Sequence, residues 1–262
     1  MAISIEDPDD PRIAAYRNVR ERDLVGRDGR FIAEGEVVLR VLAGSALCRP
    51  LSVLIAENRL ARLAPILDRL DPEVPLYAAA QAVIDAIAGF HLHRGILALA
   101  ERRPRSSAAE LLAGLAPPAV VVGLVGIANH DNVGGVFRNA AAFGVGAVIL
   151  DPTSCDPLYR KAIRVSVGAS LIVPFAVTDD PIGAMQAAGF EVLGLSPGGG
   201  VELKDVQRGP RTGVVFGAEG PGLPAELLAR TSTVRIPMAA GFDSLNVATA
   251  SGIVLHHLAA QA

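Results

Sequence analysis

Residues 129–144 carry the first pattern that could do chemistry. Apolar residues recur there at helical spacing, which predicts a helix over about Asn132 to Phe143. Asp131 or Asn132 is a suitable N-terminal cap, and Gly144 is a suitable C-terminal stop.

Two consecutive glycines, Gly134 and Gly135, lie inside this helix, although each costs roughly 0.5–1 kcal/mol there relative to alanine. Arg138 follows three and four residues later, so its side chain leans back over the bare helix surface. A cation above a floor of small residues could seat a phosphate or a ribose. A surface arginine above a tight helix crossing explains the same pattern equally well.

A glycine-rich loop follows the apolar run that ends at Phe216, with glycine at 217, 220 and 222 and a single carboxylate, Glu219. Glycines let the backbone approach a ligand closely. Their spacing is GxxGxG, so the GxGxxG fingerprint of dinucleotide-binding proteins is not met.

Residues 236–250 form the third pattern, an apolar run that leads through a loop into the last predicted helix, about Ser244 to Leu258. Asp243 or Ser244 is a suitable cap for that helix, which would place Asn246 in its first turn. Asparagine is a poor choice inside a helix, so Asn246 indicates a hydrogen-bonding role.

The elements that position these residues alternate after Pro118. Short apolar runs alternate with helices, which predicts a parallel sheet covered on both faces. The predicted strands are Val120–Ile127, Ala147–Leu150, Leu171–Phe175, Glu191–Leu195, Gly213–Phe216 and Val234–Ile236, with a further helix at Tyr159–Val167. Ligands bind beyond the carboxyl ends of such strands, so we expect the site in the loops that follow Ile127, Leu195, Phe216 and Ile236.

The region before residue 101 mixes helical segments with β-like runs such as Ser52–Ala56 and Gly95–Leu99, which predicts a smaller α/β domain. Charge, serine and proline are concentrated between 101 and 118, as is typical of a linker. We therefore predict domains at 1–105 and 119–262, joined by a linker at 106–118.

Composition sets further limits on function. Hydrophobic residues make up 51% of the 262, and no apolar run is long enough for a membrane span, so we expect a globular cytoplasmic protein. The two cysteines, Cys48 and Cys155, exclude a disulfide framework and a thiolate metal cluster. A net charge of −3 does not favour nucleic acid, yet six arginines fall within twenty residues: Arg12, Arg17, Arg20, Arg22, Arg27 and Arg30. They form either a local RNA-binding patch or a solvated face.

Together the three patterns resemble the signature motifs of the SpoU/TrmH family of RNA ribose methyltransferases, within the SPOUT class. The matching features are NxGxxxRxAxxFG at 132–144, FGxEGxGL at 216–223 and IPMxxxxxSLNVA at 236–248. The resemblance covers 118–262. More weakly, 31–36 (FIAEGE) and 93–98 (HRGILA) resemble the L30e-like substrate-binding domain found before this catalytic domain.

The resemblance implies a catalytic domain with a deep trefoil knot, which binds S-adenosylmethionine and is completed by a second copy in a homodimer. By motif position, it implies a methyl-donor pocket lined by Leu195, Gly217, Ile236, Met238 and Leu245. It assigns catalytic roles to Asn132, Arg138, Glu219, Ser244 and Asn246.

The reaction implied is methyl transfer to a ribose 2′-hydroxyl of RNA, ribosomal rather than transfer RNA, without a metal. Arginine stays charged at ordinary pH, so we expect Arg138 to stabilise a developing alkoxide while a phosphate or water takes the proton. Glu219 would hold Arg138 or Asn132, and Ser244 and Asn246 would position the ribose. Two alternatives stay open: an RNA-binding protein of this fold without catalysis, and a nucleotide-dependent oxidoreductase.

Overall fold

The computed structural model describes residues 2–17, 29–89, 92, 94–104 and 106–261. It divides into two compact units. The first consists of 1–104 and 158–172, and the second consists of 105–157 and 173–262.

The strands are β1 (Ile3–Ile5), β2 (Arg30–Glu34), β3 (Cys48–Ala56), β4 (Leu76–Ala79), β5 (Ile96–Arg102), β6 (Ala119–Leu124), β7 (Ala147–Leu150), β8 (Phe175–Val177), β9 (Glu191–Leu195), β10 (Val201–Glu202), β11 (Arg211–Phe216) and β12 (Ser232–Arg235). The α-helices are α1 (Glu36–Ala43), α2 (Leu60–Leu67), α3 (Gln81–Ala88), α4 (Ala108–Ala113), α5 (His130–Ala142), α6 (Arg160–Val165), α7 (Pro181–Ala187), α8 (Ala225–Leu228) and α9 (Val247–Ala259).

The first unit contains a five-stranded mixed sheet in the order β1-β4-β3-β5-β2. Strands β1, β4 and β3 pair in parallel, whereas β5 pairs antiparallel with β3 and with β2. Buried aliphatic side chains pack on this sheet, and the buried Tyr16 hydroxyl lies 2.6 Å from Ser52 Oγ while it accepts the Leu99 amide at 3.3 Å. The β-like runs predicted at 52–56 and 95–99 lie in β3 and β5.

The second unit contains a seven-stranded sheet in the order β10-β12-β9-β11-β6-β7-β8. All of its pairings are parallel, which confirms the predicted fold class. All six residues of β6 and all four of β7 are buried, as expected for strands with helices on both faces. Because the strands are parallel, the loops after β9, β11 and β12 leave the sheet at one edge.

One predicted strand, at 171–175, is wrong for most of its length. Residues 169–171 form a 3-10 turn that closes through the Leu171 amide on the Gly168 carbonyl, and Gly168 has a φ of +85°. The buried Ser170 hydroxyl of this turn lies 3.3 Å from the buried Ser166 hydroxyl, three residues before the turn begins. The strand begins only at Phe175, so local hydrogen bonding prevails over the apolar pattern.

The caps of the two functional helices also differ from the prediction. Asn129, not Asp131 or Asn132, caps α5 by accepting the Asp131 amide, which places Asn132 in the first turn. Asn246, not Asp243 or Ser244, caps α9 by accepting the amides of Ala248 and Thr249. Asn246 satisfies backbone donors that would otherwise lack partners, and its amide nitrogen is left for other contacts.

Candidate functional site: a cavity at the carboxyl edge of the parallel sheet

A cavity of about 500 Å³ lies in the second unit, at the edge where β9, β11 and β12 end. Its walls come from the loops that follow these strands and from the start of α9. All five residues predicted to bind the methyl donor line it: Leu195, Gly217, Ile236, Met238 and Leu245. Of the five predicted catalytic residues, Glu219, Ser244 and Asn246 also line it.

The loop after β11 requires glycine at its first position. A Cβ on Gly217 would lie 2.3 Å from the Gly222 carbonyl carbon and from the Leu223 nitrogen, which is far inside van der Waals contact. The Gly222 amide donates to the Ala218 carbonyl at 2.9 Å and closes the turn, and Gly220 has a φ of +89°. The glycines therefore fold this loop tightly enough to expose backbone to the cavity.

A chain of polar side chains joins all three motifs beside this cavity. The Asn246 amide nitrogen donates to Asn132 Oδ1 at 2.8 Å, and the Asn132 amide nitrogen donates to Glu219 Oε1. Asn132 is only 6% exposed, so its amide is held firmly. Residues 114 positions apart thus meet at one edge, and of the two partners predicted for Glu219 the structure gives it Asn132.

Arg138, by contrast, does not line the cavity of its own chain. It lies on the exposed surface of α5, and within the described residues its guanidinium forms no hydrogen bond or ion pair. The structure therefore brings together Asn132, Glu219, Ser244 and Asn246 in a single chain, and it leaves Arg138 outside that group.

Of the two explanations that the sequence left open for the glycine pair, the structure favours the tight helix crossing at Gly135. A Cβ on Gly135 would lie 2.5 Å from the Ala248 Cβ, because α5 and α9 pack against each other there. Asn139, one turn later, donates to the Ala248 carbonyl at 2.7 Å and to Ser251 Oγ at 2.9 Å. At Gly135 the helix surface is covered by α9, and so this position cannot seat a phosphate.

Asp151 holds the loop between β6 and α5, a role that the sequence analysis missed. Its Oδ1 accepts the amides of Gly126 and Ser154 at 3.0 Å and the Ser154 hydroxyl at 2.6 Å, and its Oδ2 accepts the Thr153 hydroxyl. Burial by itself would raise the pKa of Asp151, but these hydrogen bonds outweigh it and lower the pKa. The signal available was a carboxylate directly after the apolar run at 147–150.

Five arginines gather in the first unit around the two segments that resemble the L30e-like domain. The Gly35 amide donates to the Ile96 carbonyl at 3.1 Å, which brings these segments together. The arginines, hereafter the arginine cluster, are Arg40 and Arg62 paired with Glu36, Arg160 beside Glu34, Arg94 against Gly35 and Arg59 against Gly95. Positive charges outnumber the two carboxylates among them, so the cluster is electropositive.

The arginines that the sequence concentrates near residue 20 are placed only in part. Arg12 and Arg17 form ion pairs with Asp10 and Asp9, and the first of these holds the pKa of Asp10 at about 2. Arg20, Arg22 and Arg27 lie outside the described residues. For Arg12 and Arg17 the solvated, paired interpretation fits better than a phosphate-binding patch.

The described part of the chain contains no group of three or more His, Cys, Asp or Glu side chains arranged to hold a metal ion. None of the helices in those described residues is long and apolar enough to cross a membrane.

Comparisons with known proteins agree with this site. The chain is 39% identical, over 95% of its length and 89% of theirs, to uncharacterized tRNA/rRNA methyltransferases of Mycobacterium bovis and Mycobacterium tuberculosis. Its fold matches an AdoMet-bound rRNA methyltransferase from Sinorhizobium meliloti (TM-score 0.81, 23% identity, 98% and 97% of the two chains). It also matches the SpoU methyltransferase AviRb from Streptomyces viridochromogenes in complex with AdoMet (TM-score 0.80, 22% identity, 96% and 98%). The model of the SpoU rRNA methylase family matches residues 119–256, more than half of the chain, and the protein therefore belongs to the SpoU methylase family.

Proposed function

We propose that this protein is an S-adenosylmethionine-dependent methyltransferase that modifies a ribose 2′-hydroxyl of ribosomal or transfer RNA. The observation that carries the proposal is the convergence of all three motifs on one cavity through Asn132, Glu219 and Asn246. Membership of the SpoU family and the relatives' description as tRNA/rRNA methyltransferases support the RNA substrate.

The cavity residues fit S-adenosylmethionine. The cavity has apolar walls from Leu195, Ile236, Met238 and Leu245. The turn at Gly217 brings backbone to the cavity, and it folds so tightly that a Cβ on Gly217 would collide with the backbone of Gly222 and Leu223. This combination suits a ligand with a flat adenine ring and several polar groups, because apolar surfaces bind the ring and backbone groups fix its orientation. When bound there, S-adenosylmethionine supplies an electrophilic methyl group on a positively charged sulfur.

The residues of the chain would orient the acceptor and stabilise its charge. Arg138, as a permanent cation, stabilises negative charge that develops on the 2′-oxygen, while a phosphate or water takes the proton. Ser244 and Asn246 position the ribose at the cavity mouth. Glu219 acts as a positioning residue because it fixes the Asn132 amide, which in turn binds Asn246.

A homodimer is part of this proposal because Arg138 does not line its own chain's cavity. A second copy can supply the missing guanidinium. The faces of α5 and α9 that point to solvent suit such a contact, since Ala141 and Ala142 are small and exposed and Ile253 is 40% exposed. Obligate interfaces of this kind are apolar, and α9 carries no Lys, Arg, Asp or Glu.

The first unit is proposed to bind the RNA substrate as an L30e-like domain, and its arginine cluster supports this role. Guanidinium groups bind phosphate in a bidentate manner, and an excess of cations raises affinity for any RNA backbone. We further propose ribosomal over transfer RNA as the substrate, a cytoplasmic location and the family's deep trefoil knot in the second unit.

The direct test incubates the purified protein with methyl-labelled S-adenosylmethionine and unmodified ribosomal or transfer RNA. We expect label in RNA at a nucleotide whose 3′ phosphodiester resists alkali, because a methylated 2′-oxygen cannot attack it. RNA binding without transfer would favour the inactive alternative. Thermal stabilisation by NAD and none by S-adenosylmethionine would favour the oxidoreductase.

A further inference from the structure

The cavity carries an uneven charge. Of the residues that line it, only Glu219 and Asp243 are ionisable at neutral pH, and both are carboxylates. Glu219 is engaged by the Asn132 amide, which is neutral. Asp243 lines the cavity, is exposed to solvent, and forms no hydrogen bond or ion pair with any described residue. The fixed charge of the lining is therefore negative and is not balanced by a lysine or arginine of the same lining.

The methyl donor and its product differ in the charge on sulfur, to which a negatively charged lining responds. S-adenosylmethionine carries a sulfonium cation, whereas S-adenosylhomocysteine, the product, has a neutral thioether in its place. The adenosine, carboxylate and ammonium groups are shared, so their contributions cancel when the two affinities are compared. The remaining difference is one methyl group and one positive charge.

We infer that Asp243 is a specificity-determining residue that makes the cavity prefer the charged methyl donor over its neutral product. The inference rests on the proposed function, since it requires that S-adenosylmethionine binds in this cavity. Opposite unit charges attract over the width of a cavity of this size even when water partly screens them. For an exposed carboxylate such as Asp243 the expected preference is about threefold.

A preference for the charged donor over the neutral product favours release of the product after each turnover. Methyl transfer forms a C–O bond on the ribose and leaves the C–S bonding pair on sulfur, so the sulfonium charge is lost while the hydroxyl proton passes to water or phosphate. The attraction to Asp243 disappears in the same step. The carboxylate thus strengthens binding of the donor and does not strengthen retention of the product.

The test measures the dissociation constants of S-adenosylmethionine and S-adenosylhomocysteine by titration calorimetry, without RNA. The variants are Asp243→Asn, Asp243→Glu and the matched control Asp205→Asn, an exposed aspartate of the same unit outside the cavity. We expect Asp243→Asn to weaken the donor about threefold and to leave the product unchanged. Asp243→Glu should keep the preference, and the control should match the wild type.

Salt gives a second measurement. Raising sodium chloride from about 50 mM to about 500 mM shortens the Debye length, so the wild-type preference should shrink and the Asp243→Asn ratio should change less. An unchanged ratio of the two dissociation constants in Asp243→Asn, whether neither affinity changes or both fall equally, would overturn the inference. It would leave the proposed function standing. Failure of either compound to bind the wild-type protein would instead contradict the proposed function and this inference with it.

Discussion

The two turns of α5 that carry predicted catalytic residues differ in burial and in hydrogen bonding. At the first turn, Asn132 is buried and bonded to both Glu219 and Asn246. Nearly two turns later, Arg138 is exposed, and no described residue pairs with its guanidinium. The difference teaches that one chain joins Asn132, Glu219 and Asn246 by hydrogen bonds beside its pocket, whereas the guanidinium proposed to act on the substrate does not line that pocket.

The largest effect that tests this comparison is expected from Arg138→Ala. If Arg138 stabilises developing charge, its loss should lower the rate of methyl transfer about 10²- to 10³-fold. The affinity for S-adenosylmethionine, measured by calorimetry, should stay at the wild-type value because Arg138 does not line the cavity. Arg230→Ala, which removes another exposed arginine of the same unit, is the control. Wild-type rates for Arg138→Ala would refute its role.

Mixed dimers sharpen the comparison further. Arg138→Ala and Asn246→Ala proteins, each expected to have little activity alone, should regain activity when they are mixed and allowed to exchange subunits. Random pairing makes half of the dimers mixed, with one intact site of two, so about a quarter of wild-type activity is expected. A mixture as inactive as its components would show that Arg138 does not act across a dimer.

Asp151→Asn tests the support of the loop that leads into α5. Loss of hydrogen bonds to a charged group should lower the free energy of unfolding by about 2 kcal/mol at neutral pH. The folded-state pKa of Asp151 lies below its ordinary value of 3.8, so its stabilisation is full above that value and is lost as pH falls through the folded pKa. Urea unfolding of the wild type and of Asp151→Asn should therefore give free energies of unfolding that converge only in acid. A difference in free energy that is constant with pH would show that the stabilisation does not come from the charged Asp151 carboxylate.

The smallest effect concerns the helix crossing. Gly135→Ala should gain about 1 kcal/mol of helix propensity but lose at least as much to the clash with the Ala248 Cβ. Ala248→Gly removes that Cβ, so the double variant should be more stable than the sum of the single changes implies. Additive changes in the unfolding free energy would mean that the two helices do not pack as closely as described.

Sequence patterns predicted the parallel sheet and the cavity well, because both follow from local rules. Apolar runs mark buried strands, and strand ends mark ligand loops, so the loops after Leu195, Phe216 and Ile236 could be placed at the cavity in advance, although the loop after Ile127 does not line it. The individual lining residues came from the resemblance to the family's motifs. The helix caps were missed by two or three residues, since several neighbouring Asn, Asp and Ser side chains compete for the same amides. The Gly135 crossing and the Asp151 network depend on partners far along the chain, which no local pattern contains.

The pairing of Asn132 with Asn246 has a consequence for how the protein becomes active during its synthesis. The ribosome makes α5 long before α9, and closing a loop of 114 residues is slow and entropically unfavourable until the strands between them have formed. A nascent chain that has only β6, β7 and α5 therefore has no working pocket. We therefore expect methylation to begin only after the later helix has docked, so that a partly made polypeptide does not modify RNA beside the ribosome that produces it.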